Sequence, residues 1–277
     1  MADAWSPILN GPPASAIAQY VADWMASGPT DDLQSLEPAN LFTLETVTSA
    51  FKACKRGKDS GSDRIGNDWY ISYADLLIPL LQQLFGMWYR DKVFLASFLS
   101  TDVFCLKKAG DSSNPLNYRP LSLLNSDYKL FTRIIATQLR GTLPVRIHSH
   151  QHGFVPHRSI HTVIDNFLAA QDVATHTDEH RNAVALVLDF AKAYNTLDRD
   201  YLFAVLCKHG YPDHLVTVIE KIHTGTSGRF SANGVRSRQV PITRGIRQGC
   251  PLTPLLFILT LETLYQKLDA ELTYRES

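Results

Sequence analysis

An α+β fold is what this sequence predicts, and three observations carry the prediction. Several long stretches place apolar residues at helical spacing, and a few short runs are rich in β-branched and aromatic residues. An Asn233-Gly234 pair sits between two of those short runs, where a tight hairpin turn belongs. With 277 residues and an apolar share of 45%, the chain can bury a core as one large domain or two small ones.

The elements follow in chain order. Residues 1–40 hold Pro7, Pro12, Pro13, Pro29 and Pro38 around one short helical patch at 15–26, and read as an N-terminal extension or linker. Thr43 is placed to cap a helix over 43–54, with Leu44, Val47, Ala50 and Phe51 on one face. Gly57, Lys58 and Gly61 then break it with a glycine-rich basic loop. A helical region runs from 68 to 89, interrupted near Pro79, whose ring and missing N–H oppose a continuous helix. Residues 103–106 read as a strand that delivers Lys107 and Lys108 to a turn-rich loop at 110–115, and residues 117–125 bring Arg119 back beside it. Ser126 is placed to cap an amphipathic helix to about 139, ended by Gly141 and Pro144. Ser159 starts another, with Ile160, Val163, Ile164, Phe167 and Leu168 as its expected buried stripe. Helices over 201–208 and 212–223, the hairpin at 233–234 and a helix from 255 to about 272 complete the chain.

Composition narrows the class. Lys plus Arg equals Asp plus Glu at 27 each, so bulk charge carries no nucleic-acid signal, but its distribution does. No Lys or Arg precedes Lys52. Positive charge then gathers at Lys52, Lys55, Arg56 and Lys58, at Lys107 and Lys108, and from Arg236 to Arg247. Such asymmetry points to a local polyanion-binding surface. Cys54, Cys105, Cys207 and Cys250 are scattered without a C-x-x-C pair, against a zinc ribbon or disulfide scaffold and in keeping with a reducing compartment. Neither a signal peptide nor a run of about 20 apolar residues is present, so an intracellular protein, nuclear or cytoplasmic, with no membrane partner is expected. His157 and His161 have metal-ligand spacing, but a helix starting at Ser159 leaves His157 outside it, which favours a polar surface over a metal site.

The chemistry concentrates in residues 183–198. Val184, Leu186, Val187 and Leu188 form a short apolar run of the kind that makes a buried strand, and it ends in one carboxylate, Asp189. A carboxylate there is either solvated at the rim of the sheet or aimed into a cleft. Asp189-Phe190-Ala191-Lys192-Ala193-Tyr194 and Arg247-Gln248-Gly249-Cys250-Pro251-Leu252-Thr253-Pro254 resemble the A and B motifs of reverse transcriptases, most of all those of non-LTR (LINE-type) retrotransposons. Asn117-Tyr118-Arg119-Pro120-Leu121-Ser122-Leu123-Leu124-Asn125 resembles the same family's fingers motif, and Gln151-His152-Gly153-Phe154-Val155-Pro156-His157-Arg158 another of its blocks. The four occur in the family's order, from roughly Leu41 onward.

That resemblance implies the fingers (41–182) and part of the palm (183–277) of a right-hand polymerase, with RNA-directed DNA synthesis from dNTPs on an RNA template and DNA primer. It assigns Asp189 as catalytic residue and metal ligand. Lys107, with Lys108 as the alternative one position on, and Arg119 go to the triphosphate, Tyr194 to the sugar, where its ring excludes a 2′-hydroxyl, and Gln248 and Gly249 to the base and sugar. Lys58, Arg158 and Arg247 go to nucleic acid. Phosphodiester synthesis uses two divalent ions, and carboxylate oxygens are natural ligands for Mg²⁺. The family pattern also departs in places. Leu106 stands where many relatives carry proline, His157 where glycine is common, and Asn195 where many carry Asp. The aromatic-x-Asp-Asp hairpin and thumb that follow the B helix in the family do not occur within the 277 residues, so the two-metal site is expected to be incomplete and the isolated chain to have little or no polymerase activity. Tyr73-Ala74-Asp75-Leu76 is no substitute, since it lacks the second Asp and lies in a helical pattern. The alternative is a non-enzymatic remnant that binds nucleic acid, and the missing remainder of the polymerase is a further candidate partner.

Overall fold

Alternating burial along two neighbouring strands sets the frame on which everything else is hung. In the computed structural model, which describes residues 1–11, 33–178, 180 and 182–276, strand β1 (Ser100–Lys107) pairs antiparallel with β2 (Tyr118–Leu123) and parallel with β3 (Ser227–Ala232). Strand β4 (Val235–Pro241) pairs antiparallel with β3, giving the order β2-β1-β3-β4. The β3–β4 turn is made by Asn233 and Gly234 with φ of 51° and 77°, the left-handed pair that a two-residue hairpin with matching twist requires. The helical patch expected at 15–26 lies outside the described residues.

One face of the sheet is closed by α1 (Ala2–Leu9), whose Trp5 and Leu9 pack on Val103, Cys105, Phe230, Val240 and Ile242. The second and larger core lies among helices. Helices α2 (Pro38–Leu41) and α3 (Leu44–Lys52) lead into α4 (Asn67–Ser72), α5 (Ala74–Asp91) and α6 (Ala96–Leu99). After the β1–β2 hairpin come α7 (Ser126–Thr142), α8 (Ile160–His176), α9 (Ala193–Thr196), α10 (Arg199–Lys208) and α11 (Asp213–His223), and α12 (Thr253–Glu276) closes the series. Aromatic rings from α5, α6 and α7 interlock at its centre, with Phe42 stacked on Phe131 at 5.0 Å between centroids and Trp88 edge-on to Phe98 at 4.9 Å. This cluster runs continuously from Leu36 to Leu259, across the 182/183 boundary, so the two expected parts share one core.

Most expected elements are present, several with their expected caps. The Thr43 hydroxyl accepts from the Thr46 amide at 3.2 Å and Thr46 answers with its own hydroxyl, a reciprocal N-terminal cap for α3. Ser159 caps α8 as expected, its hydroxyl accepting from the His161 amide at 3.2 Å, whereas Ser126 is the first residue of α7 rather than its cap. Asp198, not singled out as a cap in the sequence, caps α10 by accepting from the amides of Asp200 and Tyr201. Four further expectations are corrected. Within residues 1–40, the described parts are not a linker: Trp5 and Leu36 are each 1% exposed, because large apolar side chains find core positions on both sides of the undescribed stretch. The break in 68–89 falls at Tyr73, and α5 runs through Pro79. The stripe of α8 is not buried: Ile160, Val163, Ile164, Phe167 and Leu168 are 39–57% exposed. Residues 183–188 form no strand, since no strand lies alongside them among the described residues, and Val184, Leu186, Val187 and Leu188 stand 77–90% exposed. A strand is held by its neighbours' hydrogen bonds, so the apolar pattern alone cannot make one.

Candidate active site

A cavity of about 1150 Å³ opens where four segments meet: the β1–β2 hairpin, one face of α7, residues 189–194 and residues 248–254. Asp189, Arg119, Tyr194, Gln248 and Gly249 all line it. Lys107 does not. In β1 and β2, Lys107 lies opposite Tyr118 and Leu106 opposite Arg119. Side chains alternate between the two faces of a strand, so Lys107 belongs to the face away from Arg119, and its ammonium donates to Ser112 Oγ. One residue further on, Lys108 returns to the Arg119 side and lines the cavity, its amide fixed by the Asn117 carbonyl at 2.8 Å. Pleat parity thus replaces Lys107 by Lys108.

The segment after Asp189 turns tightly. Lys192 adopts φ +57°, the left-handed region, and its carbonyl accepts from the amides of Asn195 (2.8 Å) and Thr196 (3.2 Å) to start α9. Tyr194 meets Phe257 of α12 edge-on at 5.2 Å, and Phe190 meets the same ring at 6.0 Å, so one aromatic side chain orients both flanks of the turn. Partial burial raises the Tyr194 phenol above its ordinary range. Asp189 itself is exposed at the cavity wall.

Residues 244–250 lie against this turn and against β2. Gly245 has φ +74°, and a Cβ there would come within 2.6 Å of the Tyr194 and Asn195 carbonyl oxygens; its amide donates to the Leu197 carbonyl, and the Ile246 amide donates to the Tyr194 carbonyl at 2.7 Å. Gly249 has φ +100°, and a Cβ would meet the Ser122 carbonyl oxygen at 2.8 Å, while the Ser122 amide donates to the Gln248 carbonyl. The glycine therefore serves close approach to β2, at the edge of the cavity.

The three cations assigned to nucleic acid fare differently. Lys58 is exposed on its loop, outside the cavity lining. Arg158 is turned inward and donates to the carbonyls of Pro144, Ile147, His148 and Gln151, acceptors at a helix end and in the loop that follows it. Arg247 is 3% exposed, sits 4.1 Å above the Tyr128 ring and donates to the Ile222 carbonyl at 2.8 Å. Neither arginine is presented to a phosphate. Both guanidiniums are instead spent on backbone carbonyls.

Three further cations reach the cavity. Arg133 and Arg140 project from α7 and Lys192 from the 189–194 turn. Arg133, Thr137 and Arg140 follow i, i+4, i+7 spacing, which puts them on one helix face, a signal that was readable in the sequence. Five cations against the single carboxylate of Asp189 make the cavity strongly electropositive, and concave walls focus such a field. Among the described residues, no three His, Cys, Asp or Glu side chains come together to hold a metal. The donor set suits an ion that shares one carboxylate with substrate phosphates and water, as Mg²⁺ does, and does not make a resident cage. No helix among the described residues is long and apolar enough to cross a membrane.

Comparison with known proteins bears on this arrangement. The family described as Reverse transcriptase (RNA-dependent DNA polymerase) matches residues 106–275. The chain is 27% identical over 84% of its length to the Transposon TX1 uncharacterized 149 kDa protein of Xenopus laevis, and covers 18% of that protein. It is 27% identical over 63% of its length to the Pol polyprotein of the type-2 retrotransposable element R2DM of Drosophila melanogaster, covering 16% of it. To the RNA-directed DNA polymerase from mobile element jockey, of the same fly, it is 26% identical over 79% of its length, covering 24%. The chain thus spans about a quarter or less of these relatives.

Proposed function

The chain belongs to the reverse transcriptase family, with relatives among the non-LTR retrotransposon polymerases, and from that premise we propose that its cavity binds a deoxynucleoside triphosphate for RNA-templated DNA synthesis. One observation carries the reading: the carboxylate of Asp189, the hairpin cations Lys108 and Arg119, and the 248–249 backbone line a single cavity although they are far apart in sequence. Arg119 offers the planar, bidentate contact that phosphate oxygens fit, and Lys108 a point charge. Arg133, Arg140 and Lys192 extend the positive wall. Asp189 is the group that would hold Mg²⁺ with the triphosphate, and the ion would supply charge neutralisation at the phosphates. Tyr194 closes the sugar side, and Gln248 faces the base.

The partners on this reading are an RNA template, a DNA primer and dNTPs, met from the basic loop at Lys58. Further polypeptide of the same polymerase would cover the exposed faces of α8 and residues 183–188, as the length of the relatives supports. The divisions 41–182 and 183–277 correspond to fingers and palm. A second reading, binding without catalysis, draws on the presence of only one carboxylate at the cavity among the described residues. Primer extension on an RNA template with Mg²⁺, together with calorimetric titration of Mg-dTTP, tests both. Extension that is lost in Asp189→Ala supports the polymerase. Salt-dependent RNA binding unchanged in that variant, with no extension in wild type, supports the second reading.

A further inference from the structure

The N-terminal helix touches two walls of this cavity, the β1–β2 hairpin and the 189–194 turn, and the strand that leads into a third. Its Trp5 is 1% exposed and makes two polar contacts in addition to its packing on the sheet. The indole Nε1–H donates to the Pro115 carbonyl at 3.3 Å, inside the 3₁₀ turn (Pro115–Asn117) of the β1–β2 loop. The carbonyl of Asn117 in that same turn fixes the amide of Lys108. On its other side, the Trp5 ring lies 5.6 Å below the Lys192 ammonium, within range of a cation–π contact. Lys192 is the left-handed residue of the turn after Asp189, a conformation that persists only where neighbours hold it. Two residues on from Pro7, the end of α1 reaches the segment that leads into the 248–254 wall. The Leu9 carbonyl accepts from the amides of Thr243 (3.1 Å) and Arg244 (2.9 Å), just ahead of Gly245, and Asp3 pairs with Arg238 of β4 at 2.8 Å.

We propose that Trp5 is a positioning residue of the cavity, joining the triphosphate-side loop of the β1–β2 hairpin to the Asp189 turn through one buried indole. An isolated helix of eight residues is not stable in water, so α1 owes its order to this docking, and the two loops owe theirs in turn to the docked ring. The two contacts are chemically separable. The N–H bond holds residues 108–117, and the ring face holds residues 189–196.

That separation supplies the test. Hydrogen exchange is followed by mass spectrometry on the full chain, with melting curves to check folding and Mg-dTTP titration as a parallel readout. Trp5→Ala is expected to speed exchange in both loops and to weaken Mg-dTTP binding by roughly tenfold. Trp5→Phe keeps a ring under Lys192 but loses the N–H, so exchange is expected to return to wild-type rates at 189–196 and stay fast at 108–117. Should Trp5→Ala abolish folding, this split in Trp5→Phe decides alone. The proposal is overturned if Trp5→Ala folds with both loops unchanged, or if Trp5→Phe raises or restores exchange equally in the two. The inference rests on the nucleotide reading only for its titration arm. A wild-type chain that binds no dTTP sinks that reading, while the exchange split still upholds or overturns the positioning role.

Discussion

Changing three cations of the hairpin, one at a time, separates pleat geometry from simple proximity in sequence. Lys107 and Lys108 are adjacent, equally charged and both exposed, so bulk electrostatics treats them alike. The strand does not: the Lys107 ammonium is on the Tyr118 face, bonded to Ser112, while Lys108 shares the cavity with Arg119. A hydrogen bond to a charged group contributes about 1.5–3 kcal/mol, and a bidentate guanidinium contact lies at the upper end. Arg119→Ala is therefore expected to weaken Mg-dTTP binding by about 100-fold and Lys108→Ala by about 10-fold, at 1.4 kcal/mol per decade. Arg119→Lys keeps the charge but loses the fork, and falls between wild type and Arg119→Ala. Lys107→Ala, which removes a charge pointing the other way, is expected to change affinity by less than about twofold in physiological salt, where the screening length is about 8 Å. Isothermal titration at fixed ionic strength reads all four variants. If Lys107→Ala costs as much as Lys108→Ala, the face assignment is wrong and the cavity does not hold the triphosphate as described.

Two predictions concern stability. Burial holds His209 down at about 4 and His223 at about 3, while burial raises the Asp127 carboxyl to about 6. Depressed histidines keep the folded state neutral, so stability falls as pH drops below the unfolded-state value near 6.5, by about 2 kcal/mol per histidine between about pH 7 and pH 5. Asp127 acts oppositely, because its raised value lets the fold take up a proton first, and returns about 1 kcal/mol over the same interval. A net loss of roughly 3 kcal/mol lowers the melting temperature by about 6–12 °C, and a flat profile between those pH values refutes the buried neutral histidines. Arg247→Met removes charged bonds to the Ile222 and Leu99 carbonyls and is expected to cost about 3 kcal/mol in chemical denaturation. Its RNA affinity, measured on folded protein, should stay unchanged, whereas a reduced salt slope would place Arg247 on the nucleic acid after all.

How much of this was legible in the sequence depends on whether a residue's role is local. Thr43, Asn233-Gly234 and the β1–β2 pair were readable because capping, turn chemistry and strand alternation act over a few residues. The family motifs brought Asp189, Arg119, Tyr194, Gln248 and Gly249 into view, and all five line one cavity. The direction of Arg158 and Arg247 was not legible, because charge in a sequence says nothing of direction, and both arginines donate to carbonyls of neighbouring segments. Trp5 was hidden for the opposite reason: a proline-rich, acidic N-terminus looks like a tether, and only tertiary packing reveals that this tryptophan fills the space between sheet and turn. The α8 stripe and the 183–188 run carried correct apolar patterns, but a pattern names a face to be covered, not what covers it.

The two sides of the cavity differ in how they are built, and the difference has a functional consequence. The cationic side stands on regular structure: a paired hairpin, the α7 face, and a B segment locked to β2 and to the 194–197 backbone through Gly245 and Gly249. The carboxylate side stands on the turn from Asp189 to Tyr194, fixed from below by Phe257 and Trp5, while the apolar residues leading into it are open to water. A triphosphate needs mainly the first side, and its charge is met by groups that are in place without anything covering residues 183–188. Holding a metal at Asp189 needs the second side as well, and the geometry of that carboxylate depends on a segment that pairs with no strand among the described residues and leaves its apolar surface open. On the proposed function, nucleotide affinity and nucleotidyl transfer are therefore separable, with affinity resting on Arg119 and Lys108 and transfer on whatever seats the 183–188 run.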